Sequence, residues 1–266
     1  MTILDTIAQY KLTEVAANKV TQPINLLEKS PYFERKTYSF KEALLDPTKN
    51  GIIAEFKRQS PSKGIINGSA PILQTTQGYV AAGASVLSIL TDTKFFGGSN
   101  ADVLEAREAC SCPILRKDFI VDEYQLVEAK SIGADLILLI AAILSPKQIK
   151  ELASFAKNLQ LNVLLEVHDK EELERSTNEY IDVVGVNNRN LKDFTVDLKK
   201  SFELSELIPK DFLKISESAI SEASTIHALK AAGYQGFLIG ETFMKQSRPE
   251  EGLKKFIDEI KNFRQA

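Results

Sequence analysis

Short runs rich in aliphatic and β-branched residues recur along this chain, and no hairpin turn joins any two of them. They are GIIAEF (51–56), ASVLSIL (84–90), PILRK (113–117), ADLILLI (134–140), LNVLLEV (161–167), DVVGVN (182–187), LKIS (213–216) and GFLIG (236–240). Between them lie stretches of helical period, such as SPKQIKELASFAKNL and SEASTIHALKAAG. Successive runs end 20 to 34 residues apart, which leaves room for one helix each. Strands joined by helices rather than tight turns pair in parallel. Eight such units within roughly 220 residues suit a closed barrel better than an open sheet. The alternative is a flavodoxin-like or Rossmann sheet. Its Rossmann form needs a Gly-rich fingerprint after the first strand, and KRQSPSKG is not one. The expected fold is α/β, a (β/α)8 TIM barrel with a helical N-terminal extension.

The extension reads as a helix from Ile3 to about Lys19 and a second piece near Phe40–Leu45. No Pro- or Ser-rich linker divides the chain. Residues 1–266 are therefore expected to form a single barrel domain, with 1–48 as its extension. Ser145 before Pro146 has the pattern of an N-cap followed by proline at the first helical position. Ser221 is expected to cap the next-to-last helix in the same way, and Gly133 and Gly233 to stop helices.

Composition excludes several functions. The formal net charge of −3 gives no electrostatic case for nucleic acid. The longest strongly apolar stretch, LILLIAAIL (136–144), is about half a membrane span. The first twenty residues carry scattered charges and lack the basic start and apolar block of a secretory signal. The two cysteines, Cys110 and Cys112, are poorly spaced for a disulfide and too few for zinc. These features point to a cytoplasmic protein that touches neither membrane nor nucleic acid, and a monomer is expected.

Barrel chemistry sits at the C-terminal strand ends. Side chains alternate faces along a strand, so Ile53, Glu55 and Lys57 share one face while Ile52, Ala54 and Phe56 share the other. With Phe56 toward the helices, Glu55 and Lys57 point into the mouth. Lys117 arrives in phase with Leu115, and Glu166 in phase with Leu164. Asn187 ends the sixth run, Glu217 and Ser218 the seventh, and Gly240 and Glu241 the eighth. A single Glu-x-Lys pair is usually a solvated surface feature worth little stability. Many such groups converging on one rim are costly to bury without a purpose. His168 has the parity of Glu166, but no second histidine comes from a neighbouring strand end and His227 falls in a helix. His168 is expected in a loop beyond the sheet, with no metal and no cofactor in the site.

The last two runs end in SESA and IGET, each entering a helix. Backbone N–H groups there offer an anion site, and barrels often seat phosphate at the seventh and eighth loops. Ser60 and Ser62 are placed to close over it from the first loop, because the first strand neighbours the eighth. That loop, RQSPSKGIINGSA, is expected to act as a mobile lid.

EFKRQSPSKG, SILTDTKFFGGS, PILRKDFIVDEYQ, ADLILLIAAIL, LLEVHD, VGVNNRNL, ISESAIS and FLIGETFM together resemble the indole-3-glycerol-phosphate synthase family in order and spacing. The resemblance runs from about residue 51 to 245. It implies a carboxy-lyase of tryptophan biosynthesis, which closes 1-(2-carboxyphenylamino)-1-deoxyribulose 5-phosphate to indole-3-glycerol phosphate with loss of CO2 and water. Lys117 then matches the general acid, with a pKa expected to be lowered by a second ammonium and an apolar wall. Lys57 matches the lysine that engages the substrate's anionic groups, and Glu166 the group that assists dehydration. Glu55 is expected to hold both lysines, and Asn187 to bond the sugar-chain hydroxyls. Pro61, Phe96, Phe119, Leu138 and Leu191 wall the aromatic ring. Ser60 and Arg189 lie on the substrate side, and Ser218, Ala219, Gly240 and Glu241 form the phosphate grip.

Two positions depart from the family pattern. Ala219 stands where glycine is usual and implies a φ costly for alanine. Glu241 stands where some members have serine, so only its backbone N–H is expected to face phosphate. Two other activities remain open on residues alone: a Schiff-base aldolase using Lys117, and a catalytically inert phosphosugar-binding module.

Overall fold

The computed structural model describes residues 2–190 and 194–263. Leu191, expected on the ring wall, lies outside them. Eight parallel strands close into a barrel: β1 Ile52–Phe56, β2 Val86–Leu90, β3 Ile114–Lys117, β4 Leu136–Ile140, β5 Asn162–Val167, β6 Val183–Asn187, β7 Leu213–Glu217 and β8 Gly236–Ile239. Each pairs with its sequence neighbours, and β1 closes the ring on β8 through Ile52↔Phe237 and Ala54↔Ile239. All eight coincide with the aliphatic runs. Helices Ile72–Ala82, Asn100–Ala109, Tyr124–Ser131, Pro146–Asn158, Lys170–Ser176, Lys199–Ser205, Ala223–Ala231 and Pro249–Asn262 follow the strands in turn.

Strand parity divides the core. Ile52, Ala54, Phe56, Leu87 and Leu139 pack outward against the helices, whereas Ile53, Leu115, Leu138, Leu164 and Ile215 fill the barrel. Ser145 caps Pro146–Asn158 through a capping box with Gln148. Gly133 and Gly233 follow helix ends at φ 85° and 87°, as their positions suggested. Ser221 differs. The helix there begins at Ala223 with Glu222 at its N-cap, and Ser221 faces the cavity instead.

The N-terminal extension covers both ends of the barrel. Helix α1 (Ile3–Thr21) starts in a capping box between Thr2 and Asp5 and lays Ile3, Leu4 and Ile7 over the C-terminal mouth. A short turn, α2 (Ile24–Leu27), leads on toward α3 (Phe40–Leu45), whose Phe40 and Leu44 pack into the barrel-interior core. Leu44 lies against the start of β8 at Gly236. Lys11, on the inward face of α1, is fully buried and pairs with Glu14, Asp92 and Asp118 at 2.8, 2.9 and 3.0 Å.

Candidate active site

A cavity of about 610 Å³ opens at the C-terminal mouth. Of the residues expected there, Lys117, Glu166, Lys57, Glu55, Asn187, Ser60, Pro61, Phe96, Phe119, Leu138, Arg189, Ser218, Ala219, Gly240 and Glu241 all line it. At its base, Lys117 Nζ lies 2.9 Å from Glu217 Oε2 and 3.3 Å from Glu166 Oε2. Lys57 Nζ reaches Glu55 Oε1 at 2.5 Å. Glu55 thus holds one lysine by contact and acts on Lys117 only through its charge, which corrects the expectation that it would pair with both.

Burial and mutual charge set the protonation states. Burial alone would lower the Lys117 pKa, but Glu217, Glu166 and Glu55 outweigh it and raise it well above the ordinary lysine value. This reverses the sequence expectation. The second ammonium is neutralised locally by Glu55, and the carboxylates around Lys117 outnumber it. Glu55 and Glu166 resist burial because of their lysines and are held below the usual carboxylate range; His168 and a hydrogen bond from Asn187 also help Glu166. Glu217 absorbs the excess negative charge. Burial pushes it up to about 7, aided by Glu166 and Glu55 and opposed by Lys117.

Backbone geometry makes room for this cluster. A methyl on Gly240 would overlap Glu55 Oε1, and one on Gly185 would overlap Glu217 Oε1. Two glycines therefore admit two of the carboxylates, so Gly240 has a role beyond a tight turn. Opposite the cluster, the rings of Phe96 and Phe119 lie 5.7 Å apart at 37°, and with Leu138 they form an apolar wall.

The segment after β7 is built on strained backbone. Ser218 and Ala219 follow β7 at φ 67° and 62°, both left-handed. The cost suspected for Ala219 is therefore present. Ser218 Oγ donates to Asn187 Oδ1 at 2.9 Å, which locks the ends of β6 and β7 together. Ala219→Gly relieves a left-handed alanine worth about 1–2 kcal/mol, partly offset by glycine's extra freedom in the unfolded chain. A rise in Tm of about 2 °C is expected by calorimetry; a fall would mean that the backbone is not strained there. The Glu241 carboxylate lies 3.4 Å from Lys63 and 3.6 Å from Arg189, two other residues of the cavity lining.

The first loop is anchored at its base. Arg58 makes a bidentate pair with Asp102 at 2.6 and 2.8 Å, and the Arg58 carbonyl accepts from Ile66 and Asn67. Between these anchors a small antiparallel hairpin pairs Gln59 with Ile65 and Ser60 with Gly64. Ser60 Oγ and Ser62 Oγ lie 3.4 Å apart. His168 stands just past β5, as expected of a loop residue.

Sequence reasoning missed the direct partner of Lys117. Glu217 ends the seventh run, and the parity of Leu213 and Ile215 places it inside the barrel. It also missed Ile3, Leu4 and Ile7, whose signal was one apolar face of α1 that ends at Lys11.

A family model described as indole-3-glycerol phosphate synthase matches residues 4–256. The indole-3-glycerol phosphate synthase of Bacteroides thetaiotaomicron is 48% identical over 258 residues, covering 97% of this chain and 98% of the relative. That of Burkholderia multivorans is 40% identical over 257 residues, covering 96% and 98%. Among solved structures, 3-hexulose-6-phosphate synthase from Salmonella typhimurium superposes with a TM-score of 0.62 at 12% identity, covering 79% of this chain and 98% of its own. A chain of the Pyrococcus furiosus tryptophan synthase a2b2 complex gives 0.59 at 17%, covering 81% and 99%. These two share the barrel and carry no argument about chemistry. The sequence relatives span the extension as well as the barrel, at identities far above those of fold alone, so the chain belongs to the indole-3-glycerol phosphate synthase family.

Proposed function

We propose that this protein closes 1-(2-carboxyphenylamino)-1-deoxyribulose 5-phosphate to indole-3-glycerol phosphate, releasing CO2 and water. The observation that carries the reading is the charged Lys117 between Glu166 and Glu217, in a cavity with an aromatic wall and a phosphate-side arm. The anthranilate ring packs against Phe96, Phe119, Leu138 and Pro61. The phosphate rests on the Ser218–Ala219 and Gly240–Glu241 backbone, with Ser60 closing over it.

Lys117 works as a fully formed ammonium rather than a half-titrated base. It polarises the ketone as the aryl carbon attacks and gives up its proton once that oxygen becomes an alkoxide, a far stronger base. Glu217, poised near neutrality, takes part in restoring that proton. Poor solvation of the substrate carboxylate against the apolar wall favours loss of CO2. Lys57, held by Glu55, binds the anionic groups and is a second proton source for dehydration, which Glu166 assists. Asn187 and Arg189 orient the sugar chain.

The aldolase alternative needs a neutral amine as nucleophile. The carboxylates around Lys117 favour its charged form, which speaks for the acid role. Borohydride with substrate is therefore expected to leave Lys117 unmodified. The direct test is indole fluorescence on mixing protein with the anilino-deoxyribulose phosphate; micromolar binding without that signal would support an inert binding module instead.

Ser218→Ala removes one anchor of the phosphate arm. It is expected to raise KM by roughly tenfold, the loss of one hydrogen bond to a charged group, while kcat changes less. A dominant loss in kcat would reassign Ser218 to holding Asn187. The tip of the first loop acts as the lid, hinged between the Arg58 and Asn67 anchors; hydrogen exchange there as slow as in the strands, with and without ligand, would overturn this. We read the protein as a cytoplasmic monomer. Both cysteines are free and buried, and among the described residues no helix is long and apolar enough to cross a membrane. A light-scattering mass of one chain is expected.

A further inference from the structure

Behind the cavity, one buried nitrogen lacks the partner it faces. The His168 side chain is 10% exposed, and its Nδ1 lies 3.1 Å from Glu172 Oε2. That same oxygen accepts the His168 backbone N–H at 2.8 Å. Glu172 itself sits in the first turn of the helix Lys170–Ser176, and its N–H is held by Asp169. The ring is thus fixed at one edge. Its other nitrogen, Nε2, is buried, makes no hydrogen bond, and lies 3.6 Å from Glu166 Oε1. Glu166 spends its opposite oxygen, Oε2, on Lys117. Glu172, His168 and Glu166 therefore form a string from the rim to the reacting centre, with one link left slightly open.

We infer that His168 is a positioning residue that holds a proton in reserve for Glu166. The inference rests on the dehydration role proposed for Glu166 and deepens it. At rest Glu166 is a carboxylate, so it has no proton of its own for a departing hydroxyl. In the step, the Nε2–H bond breaks and an O–H bond forms on Glu166 Oε1. Glu166 then passes that proton to the hydroxyl as its C–O bond breaks and water leaves. Glu166 ends as a carboxylate and His168 as a neutral imidazole, which water at the rim reprotonates. A small rotation of either side chain brings 3.6 Å to hydrogen-bond distance.

The groups that act on the ring are Glu166 from β5, Glu172 from the following helix and Lys200 from the helix Lys199–Ser205. Burial alone would lower the imidazole pKa. The Glu172 hydrogen bond and the two carboxylate charges outweigh burial and the opposing Lys200, so it rises above the ordinary histidine value. The reserve is full below that raised pKa and is lost as pH increases through it, giving kcat an alkaline limb.

The test combines kinetics with proton NMR. The chain has only two histidines, and His227 is identified by its own substitution. His168→Asn keeps a donor near Glu172 and removes Nε2. It is expected to lower kcat roughly tenfold, a fraction of full acid–base assistance, with KM within about twofold and the alkaline limb moved to the one that Glu217 alone supplies. Glu172→Gln keeps the hydrogen bond and removes the charge. It is expected to leave the low-pH plateau near native and to move the limb and the His168 titration together toward lower pH by about one unit. A His168→Asn enzyme with native kcat and limb, or with reduced kcat and an unmoved limb, overturns the inference. Glu166→Gln separates the two readings: if it is inactive while His168→Asn behaves as native, only the reserve fails, whereas an active Glu166→Gln removes the role of Glu166 itself.

Discussion

Lys117→Ala is expected to lower kcat by about three to four orders of magnitude while leaving substrate affinity within a few fold, the signature of a group used chiefly in the transition state. Affinity survives because the proposed phosphate arm at Ser218–Ala219, Lys57 and the aromatic wall do not depend on this ammonium. The side chain leaves a gap between Glu166 and Glu217, whose oxygens stand 3.3 and 2.9 Å from the missing nitrogen. Small primary amines added to the variant should enter as ammonium ions and restore part of the rate. The loss of the positive charge also favours protons on Glu217 and Glu166, so the pH profile of the residual activity should move toward higher pH. Single-turnover kinetics at several pH values separate these effects. A near-normal kcat in Lys117→Ala would remove the residue from the role of acid.

Lys11→Met is expected to cost about 3–5 kcal/mol of stability, because it breaks a buried ion network from one side. Lys11 is fully buried, and Asp92 Oδ2 has no hydrogen bond from any other group. Asp118 suffers less, since Arg116 and Thr91 also hold it. Burial would lower the Lys11 pKa, but Asp118 and Asp92 outweigh it and raise it. Stability from a raised lysine is fully present below its unfolded pKa and is lost only as pH climbs through the folded one. Asp118, depressed by Arg116 and Lys11 against its burial, loses its contribution only as pH falls through its lowered pKa. The deficit should therefore be nearly constant from about pH 5 to pH 9. Urea titrations of Lys11→Met, Asp92→Asn and the double variant give the coupling. A loss under about 1 kcal/mol in Lys11→Met would mean that the network contributes little. Because the same helix places Leu4 and Ile7 over the cavity, kcat/KM should fall with stability.

Strand order, barrel closure and the identity of the rim were all legible in one dimension. The reason is periodicity. A residue's face follows from its parity within a strand, and β1, β3 and β5 carry aliphatic residues long enough to set the phase for Glu55, Lys117 and Glu166. The left-handed backbone at Ala219 was readable for a similar reason, since an alanine in a glycine position exposes the conformation that position demands. Pairings and protonation were not readable. Which carboxylate meets Lys117 depends on distances between β3, β5 and β7, and sequence spacing does not encode them. The direction of the Lys117 pKa shift depends on whether one ammonium or three carboxylates stand closest, and in the folded chain the carboxylates do. The docking of α1 on Asp92 and Asp118 through Lys11 likewise joins segments whose separation along the chain says nothing about their separation in space. The sequence alone determined which groups reach the mouth, because local alternation decides that; folding decided which of them touch, because Coulomb energy and desolvation act through three-dimensional distance.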